Sequence, residues 1–375
     1  MRERRSIRLL LCGDVMLGRG IDQILQQPCD AVLHENGALS AMDYVHLAEA
    51  ANGPIPRGVG STYVWGAALD ELERMRPDAR IINLETSITR SGDYDPKGIN
   101  YRMSPQNAEC LKAAGIDCCV LGNNHVLDWG RSGLLESLAT LERLGIKTAG
   151  AGRNSAQAAA PAVLDIPGFA CVRVFSFACV SSGVPYSWAA RAATPGLNIL
   201  GRMSEADAVR VADEIAHASG PDDLIVVSVH WGPNWGYEIS EEQSSFAHIL
   251  IDRADVSIVH GHSSHHPKAI EIYRNRLILH GCGDLLNDYE GISGYEHYRD
   301  DLVLMYFADI DLASRELCGV EIVPLQIRNF QLARPSKKDA DWMLEMLNRE
   351  YRRFAAGLAV AANGHFVLSW QKAAQ

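Results

Sequence analysis

The sequence predicts an α/β protein. Short apolar, strand-like runs alternate with amphipathic, helix-like runs along much of its 375 residues, and the later part turns β-rich. Polar, ligand-type residues also stand just after an apolar run five times over. In open α/β sheets that is where ligands bind, in the crevice beyond the carboxyl ends of the strands.

The elements follow in order. Residues 8–12 read as a strand, 20–27 as a short helix, and 79–84 as a strand after Pro77-Asp78. Residues 105–114 form a helix closed by Gly115, 116–121 a strand, 132–144 a helix closed by Gly145, and 172–179 a strand. Ser204 caps a helix over 204–218 with Asp207 in its first turn. Residues 224–229 make a strand and 241–253 a helix. Residues 255–259 form a short buried strand, after which Gly261 permits a tight turn. Strands at 269–273, 276–280, 302–311 and 320–326 follow, with Tyr273-Arg274-Asn275-Arg276 as a hairpin turn, and a late helix covers 337–353. Segments 30–65 and 287–299 lack periodicity and read as loops, either functional lids or solvated insertions.

Composition excludes some functions. A formal net charge of −11 argues against a sequence-independent nucleic-acid binder. The nine cysteines are an odd number with no CxxC pair, which predicts reduced core thiols and a cytoplasmic protein. The basic start followed by Leu9-Leu10-Leu11 looks like an export signal, but Arg8 and Asp14 interrupt it and it reads as the first strand. No run reaches the roughly 18 apolar residues of a membrane span.

The five strand ends carry Gly13-Asp14-Val15-Met16, Asn83-Leu84-Glu85, Gly122-Asn123-Asn124-His125 with Asp128, His230-Trp231-Gly232, and the run His260-Gly261-His262-Ser263-Ser264-His265-His266. That last run holds four of the thirteen histidines, and neutral imidazole is the commonest metal ligand. As an ordered set, these motifs and Gly18-Arg19 resemble the CapA (poly-γ-glutamate, capsule synthesis) family, relatives of the calcineurin-like metallophosphoesterases, from about residue 8 to about 310.

The resemblance implies a sandwich of two mixed β-sheets flanked by helices. It implies one such domain over 1–330, with insertions near 30–65 and 287–299, and a C-terminal helix and tail over 331–375 packed on it. It places Asp14 on a first metal, Glu85 as a bridge, Asn124, His230 and His262 on a second metal, and His265 beside the first. His125 stands by as acid/base or charge stabiliser. One departure is Met16, where phosphoesterases usually have histidine; one metal then has a weaker shell or borrows His260 or His266.

Carboxylate, amide oxygen and imidazole suit one or two divalent ions, Mn²⁺, Zn²⁺ or Fe²⁺. Cys282 reads as a core thiol. Such a site supports hydrolysis of a peptide or polyglutamate-like substrate. It also supports peptide epimerisation, with Asp14, His125, His265 or His266 as bases. A third reading is a capsule-synthesis scaffold without chemistry. Arg19, Trp65, Trp231 and Tyr289 are the expected substrate contacts. For Trp231 and Trp235, core packing is the competing assignment.

Overall fold

Almost every residue of the central strands is apolar, so those strands need cover on both faces. The computed structural model describes residues 6–169, 171–354 and 356–371; the basic start, residues 1–5, lies outside them. Its first sheet contains β1 (Ser6–Val15), β2 (Ala79–Leu84), β3 (Cys118–Val120) and β4 (Lys147–Ala149). The second contains β5 (Val172–Cys179), β6 (Leu224–His230), β7 (Ile258–His262), β8 (Ile270–Tyr273) and β9 (Arg276–Leu279). The chain then returns to the first sheet with β10 (Asp284–Leu286), β11 (Leu302–Asp311), β12 (Leu317–Arg328), β13 (Ala356–Val360) and β14 (Phe366–Trp370).

Both sheets are mixed. The first runs β13-β14-β12-β11-β1-β2-β3-β4, parallel from β1 to β4, antiparallel from β1 through β13, with β10 parallel on β1. The second is parallel through β5-β6-β7-β9, with β8 antiparallel on β9. Side chains alternate across each strand. Leu9, Leu11, Val174, Val226 and Ile258 fill the space between the sheets. Leu10, Cys12 and Ile82 face an outer helical layer, while Phe175, Val227 and Val259 pack against the helices Glu205–His217 and Glu241–Ala254. The result is the two-sheet, helix-flanked sandwich.

Some elements differ from the sequence reading. Segment 30–65 contains a helix, Ala41–Asn52, whose Ser40 side chain accepts from the Met42 N–H while Asp43 accepts from the Ser40 N–H at 3.1 Å. That S-x-x-D capping pattern was present in the sequence. The helix expected over 105–114 is regular only over Glu109–Ala113.

Gly261 makes no turn. It lies within β7, where a Cβ would meet the Leu279 carbonyl at 2.5 Å and the Trp231 Nε1 at 2.7 Å. The chain turns at Ser263, with φ of 103°. Segment 287–299 carries no helix or strand. Beyond the late helix Lys337–Tyr351, the β13–β14 hairpin extends the first sheet. No helix among the described residues is long and apolar enough to cross a membrane.

Candidate metal centre

The parallel strands of both sheets end on one side of the sandwich, and register brings their last residues together. Asp14 pairs with Asn83 across β1–β2 and with Asp284 across β1–β10, while His230 pairs with His262 across β6–β7. Gly13 permits the close approach, because a Cβ there would collide with the Gly283 carbonyl.

Two donor sets result, each with ligand atoms mutually within 4.8 Å: Asp14, His230 and His262, and Asp14, Glu85, His265 and Asp284. Asp14 belongs to both. The His230 and His262 Nδ1 atoms are 2.7 Å apart, and Asn124 Oδ1 is 2.9 Å from His230 Nε2. Glu85 Oε1 sits 3.7 Å from His230 Nε2 and 3.9 Å from His125 Nε2, between the two sets. The site therefore gathers the expected Asp14, Glu85, Asn124, His125, His230, His262 and His265.

Supports hold these groups in place. Asn83 Nδ2 donates to Asp14 Oδ1 at 2.6 Å. Ser228 Oγ lies 2.7 Å from His262 Nε2 and orients that ring. His125 Nδ1 is 2.7 Å from Asp128 Oδ2, and Lys97 Nζ is 2.6 Å from Asp128 Oδ1 and contacts the Asn124 carbonyl. Asn123 Oδ1 accepts from the His125 and Val126 N–H groups and so shapes this turn. His265 Nδ1 is 3.0 Å from Asp284 Oδ1, and Asn287 donates to Asp284 Oδ2 at 2.8 Å.

The electrostatics are compatible with a bound cation. Burial, then the Asp284 charge, pushes the Asp14 carboxyl up to about 7. Burial with Asp14 and Asp284 nearby holds Glu85 well above the carboxylate range. Burial keeps His125, His230 and His262 neutral. Burial alone would lower His265 as well, but the Asp284 carboxylate outweighs it and the net direction is up. Crowded carboxyls facing neutral imidazoles fit a divalent cation, whose charge reverses the cost of ionising them. The adjacent thiols, Cys12 and Cys282, are buried and held protonated, so the donor set is oxygen and nitrogen.

Several expected contacts stand elsewhere. His266 engages the Gly236 N–H through Nε2 and the Pro267 carbonyl through Nδ1, and stacks on Tyr298. With both nitrogens committed, it is neither a base at this centre nor a spare ligand. His260 is likewise committed, to Ser228 Oγ and the Cys12 carbonyl; it replaces no histidine at Met16, whose sulfur accepts from the Gly18 N–H.

Trp65 and Trp231 are buried, their indole N–H groups spent on the Cys110 and His280 carbonyls, so both are core. Arg19 is 3 % exposed, ion-paired with Asp288 and Glu35, and braces the interior instead of meeting substrate. Tyr289 alone of that group reaches the centre, its ring edge-on to His265 at 5.3 Å.

Asp284, Lys97 and Tyr101 were not expected. Asp284 had a signal, since Gly281-Cys282-Gly283-Asp284 follows β9 as the other motifs follow their strands. Lys97 and Tyr101 come from a segment without periodicity and had none.

A family model, bacterial capsule synthesis protein PGA_cap, matches residues 8–289. A probable polyglutamine synthesis accessory protein of Mycobacterium tuberculosis is 44 % identical over 350 residues, 93 % of this chain and 92 % of that protein. The PGA biosynthesis protein CapA of Bacillus subtilis is 25 % identical over 330 residues, 88 % of this chain and 73 % of that protein. A solved structure, described as a novel phosphatase of Mycoplasma pneumoniae, aligns with 90 % of this chain and 98 % of its own at 13 % identity and a TM-score of 0.48.

Proposed function

The chain belongs to the bacterial capsule synthesis protein family PGA_cap, and from that premise we propose a metal-dependent hydrolase acting on a peptide or polyglutamate-like substrate. One observation carries the metal: Asp14 is common to two donor sets at the joint strand ends. Asp14, His230, His262 and Asn124 would hold one divalent ion, and Asp14, Glu85, His265 and Asp284 a second. When bound, such ions supply Lewis-acid polarisation and acidify water. The substrate class comes from the relatives' names, polyglutamine synthesis and PGA biosynthesis.

The chain's own groups then have defined tasks. The Nδ1–H of neutral His125 is tied to Asp128, which leaves Nε2 toward Glu85 to take or give a proton. Lys97 fixes Asp128 and the Asn124 carbonyl, so the Asn124-His125 pair keeps its aim. Asp284 and Asn287 fix the His265 ring.

Poly-γ-glutamate and short γ-glutamyl peptides, incubated with metal-loaded protein and followed by mass spectrometry, test the reading. Cleavage that needs metal and disappears in His125→Ala is the expected result. Intact substrates at full metal content would contradict it.

A further inference from the structure

Two tyrosines close the gap between the two histidines that flank Glu85. Tyr101 stacks on His125 with ring centroids 3.8 Å apart, and Tyr289 stands edge-on to His265 at 5.3 Å. Their hydroxyls meet at 2.6 Å. The Tyr101 ring is 3 % exposed and Tyr289 is half-buried.

The hydrogen count of this pair is uneven. Each phenol brings one O–H donor, and the contact between them uses one. Neither hydroxyl has another hydrogen-bond partner among the described residues. One donor is therefore left over, on a pair whose rings flank His125 and His265, and is free to meet a ligand there. The phenols stay protonated, because burial drives both far above the ordinary tyrosine range.

The pair is also held in position. Tyr101 donates its backbone N–H to Asp128, and its carbonyl accepts from Trp129 Nε1. Arg19 lies 4.6 Å from the Tyr101 ring centroid and 5.8 Å from that of Tyr289, and its partner Asp288 precedes Tyr289 in the chain. On the loop side, Tyr289 borders a cavity of about 230 Å³ that Asn287 and Asp300 also line.

We propose that Tyr101 and Tyr289 form a substrate-contacting hydroxyl pair that donates its spare hydrogen to an oxyanion at the metal centre. The ligand class is a tetrahedral or planar oxyanion: a phosphate, or the oxygen of an acyl group under attack. A donor aimed at such an oxygen acts without reorganising when charge develops there. The proposal rests on the hydrolase reading for its role in turnover, but oxyanion binding is measured apart from turnover.

Inorganic phosphate is the probe, titrated into zinc-loaded protein by calorimetry. The wild type binds, and Tyr101→Phe and Tyr289→Phe each weaken Kd by about tenfold, the effect of losing one hydrogen bond to a charged group. Zinc content is unchanged in both. With tyrosine labelled by carbon-13 at Cζ, phosphate shifts two resonances in the wild type, and each variant lacks one of them. Tyr186→Phe, an exposed position, leaves Kd unaltered.

If Tyr101→Phe does not fold, Tyr289→Phe on its half-exposed loop decides the matter. A wild type that ignores phosphate, or variants that bind it as the wild type does, overturns the proposal. A wild type that binds phosphate through the pair yet cleaves no glutamyl substrate sinks the hydrolase reading and leaves this one standing.

Discussion

The centre has two kinds of contributor. Asp14, His230 and His262 stand on strands, where sheet register fixes them to the backbone. Glu85, Asn124, His125 and His265 stand on turns, and side-chain contacts hold the last three: Lys97 and Asn123 for the Asn124-His125 turn, Asp284 and Asn287 for His265. Strand placement fixes the backbone and leaves only the side-chain aim to Asn83 and Ser228, whereas the Asn124-His125 turn also owes its backbone path to side-chain contacts. Asp14, His230 and His262 make one donor set from strands alone, and the other set joins two strand residues, Asp14 and Asp284, to the turn residues Glu85 and His265.

The largest expected effect separates the two kinds directly. His262→Ala should lower metal affinity by more than about 100-fold, whereas His265→Ala should cost about tenfold, because its set keeps three oxygen ligands. Equal losses, measured by competition with a chelator, would erase the distinction.

Ser228→Ala removes the hydroxyl that orients His262 and should weaken metal by about 10–100-fold. Retention of wild-type affinity would mean that strand register alone sets the ring.

On the turn side, Lys97→Met should leave metal content intact and lower turnover, because Asp128 and the Asn124 carbonyl lose their tether. Lys97→Arg should restore part of it. Metal loss in Lys97→Met would show the two halves to be inseparable.

The pH dependence follows from Asp14. Its folded pKa of about 7 lies above the ordinary carboxylate value. Between those values the unfolded chain has already released the proton, so the metal-free protein loses stability as pH rises toward 7. Metal binding runs the other way and strengthens through 7, because the ligand must be ionised. Thermal melts of metal-free wild type and Asp14→Asn at pH 5 and pH 8 check the sign: only the wild type should lose this increment. The smallest effect on metal is expected from His260→Gln, which keeps full metal content and costs about 1–3 kcal/mol of stability through the Cys12 carbonyl.

The sequence was readable where chemistry follows strand order. Asp14, Glu85, His230 and His262 each close or follow an apolar run, so the family pattern and the strand pattern pointed to the same positions. It was misleading where count replaced geometry. On β7, alternation points both His260 and His262 between the sheets, but two residues along a strand separate a rim position from one buried against Cys12. Asp284 carried the local signal of a Gly-x-Gly-Asp run after a strand, but its pairing with Asp14 spans 270 positions, and only that register puts it in the centre. Lys97 and Tyr101 are placed by an irregular loop, whose path depends on the contacts it ends up making. The aromatic side chains Trp65 and Trp231 show the opposite error: their size suits a substrate surface and a core equally, and burial decides.

The claim that Asp14 joins two metal-binding sets is tested most directly by elemental analysis of purified wild type and Asp14→Asn under identical metal exposure. The wild type should carry one or two divalent ions per chain and the variant none, with its fold intact by circular dichroism. An Asp14→Asn protein that keeps the wild-type metal content would contradict the account.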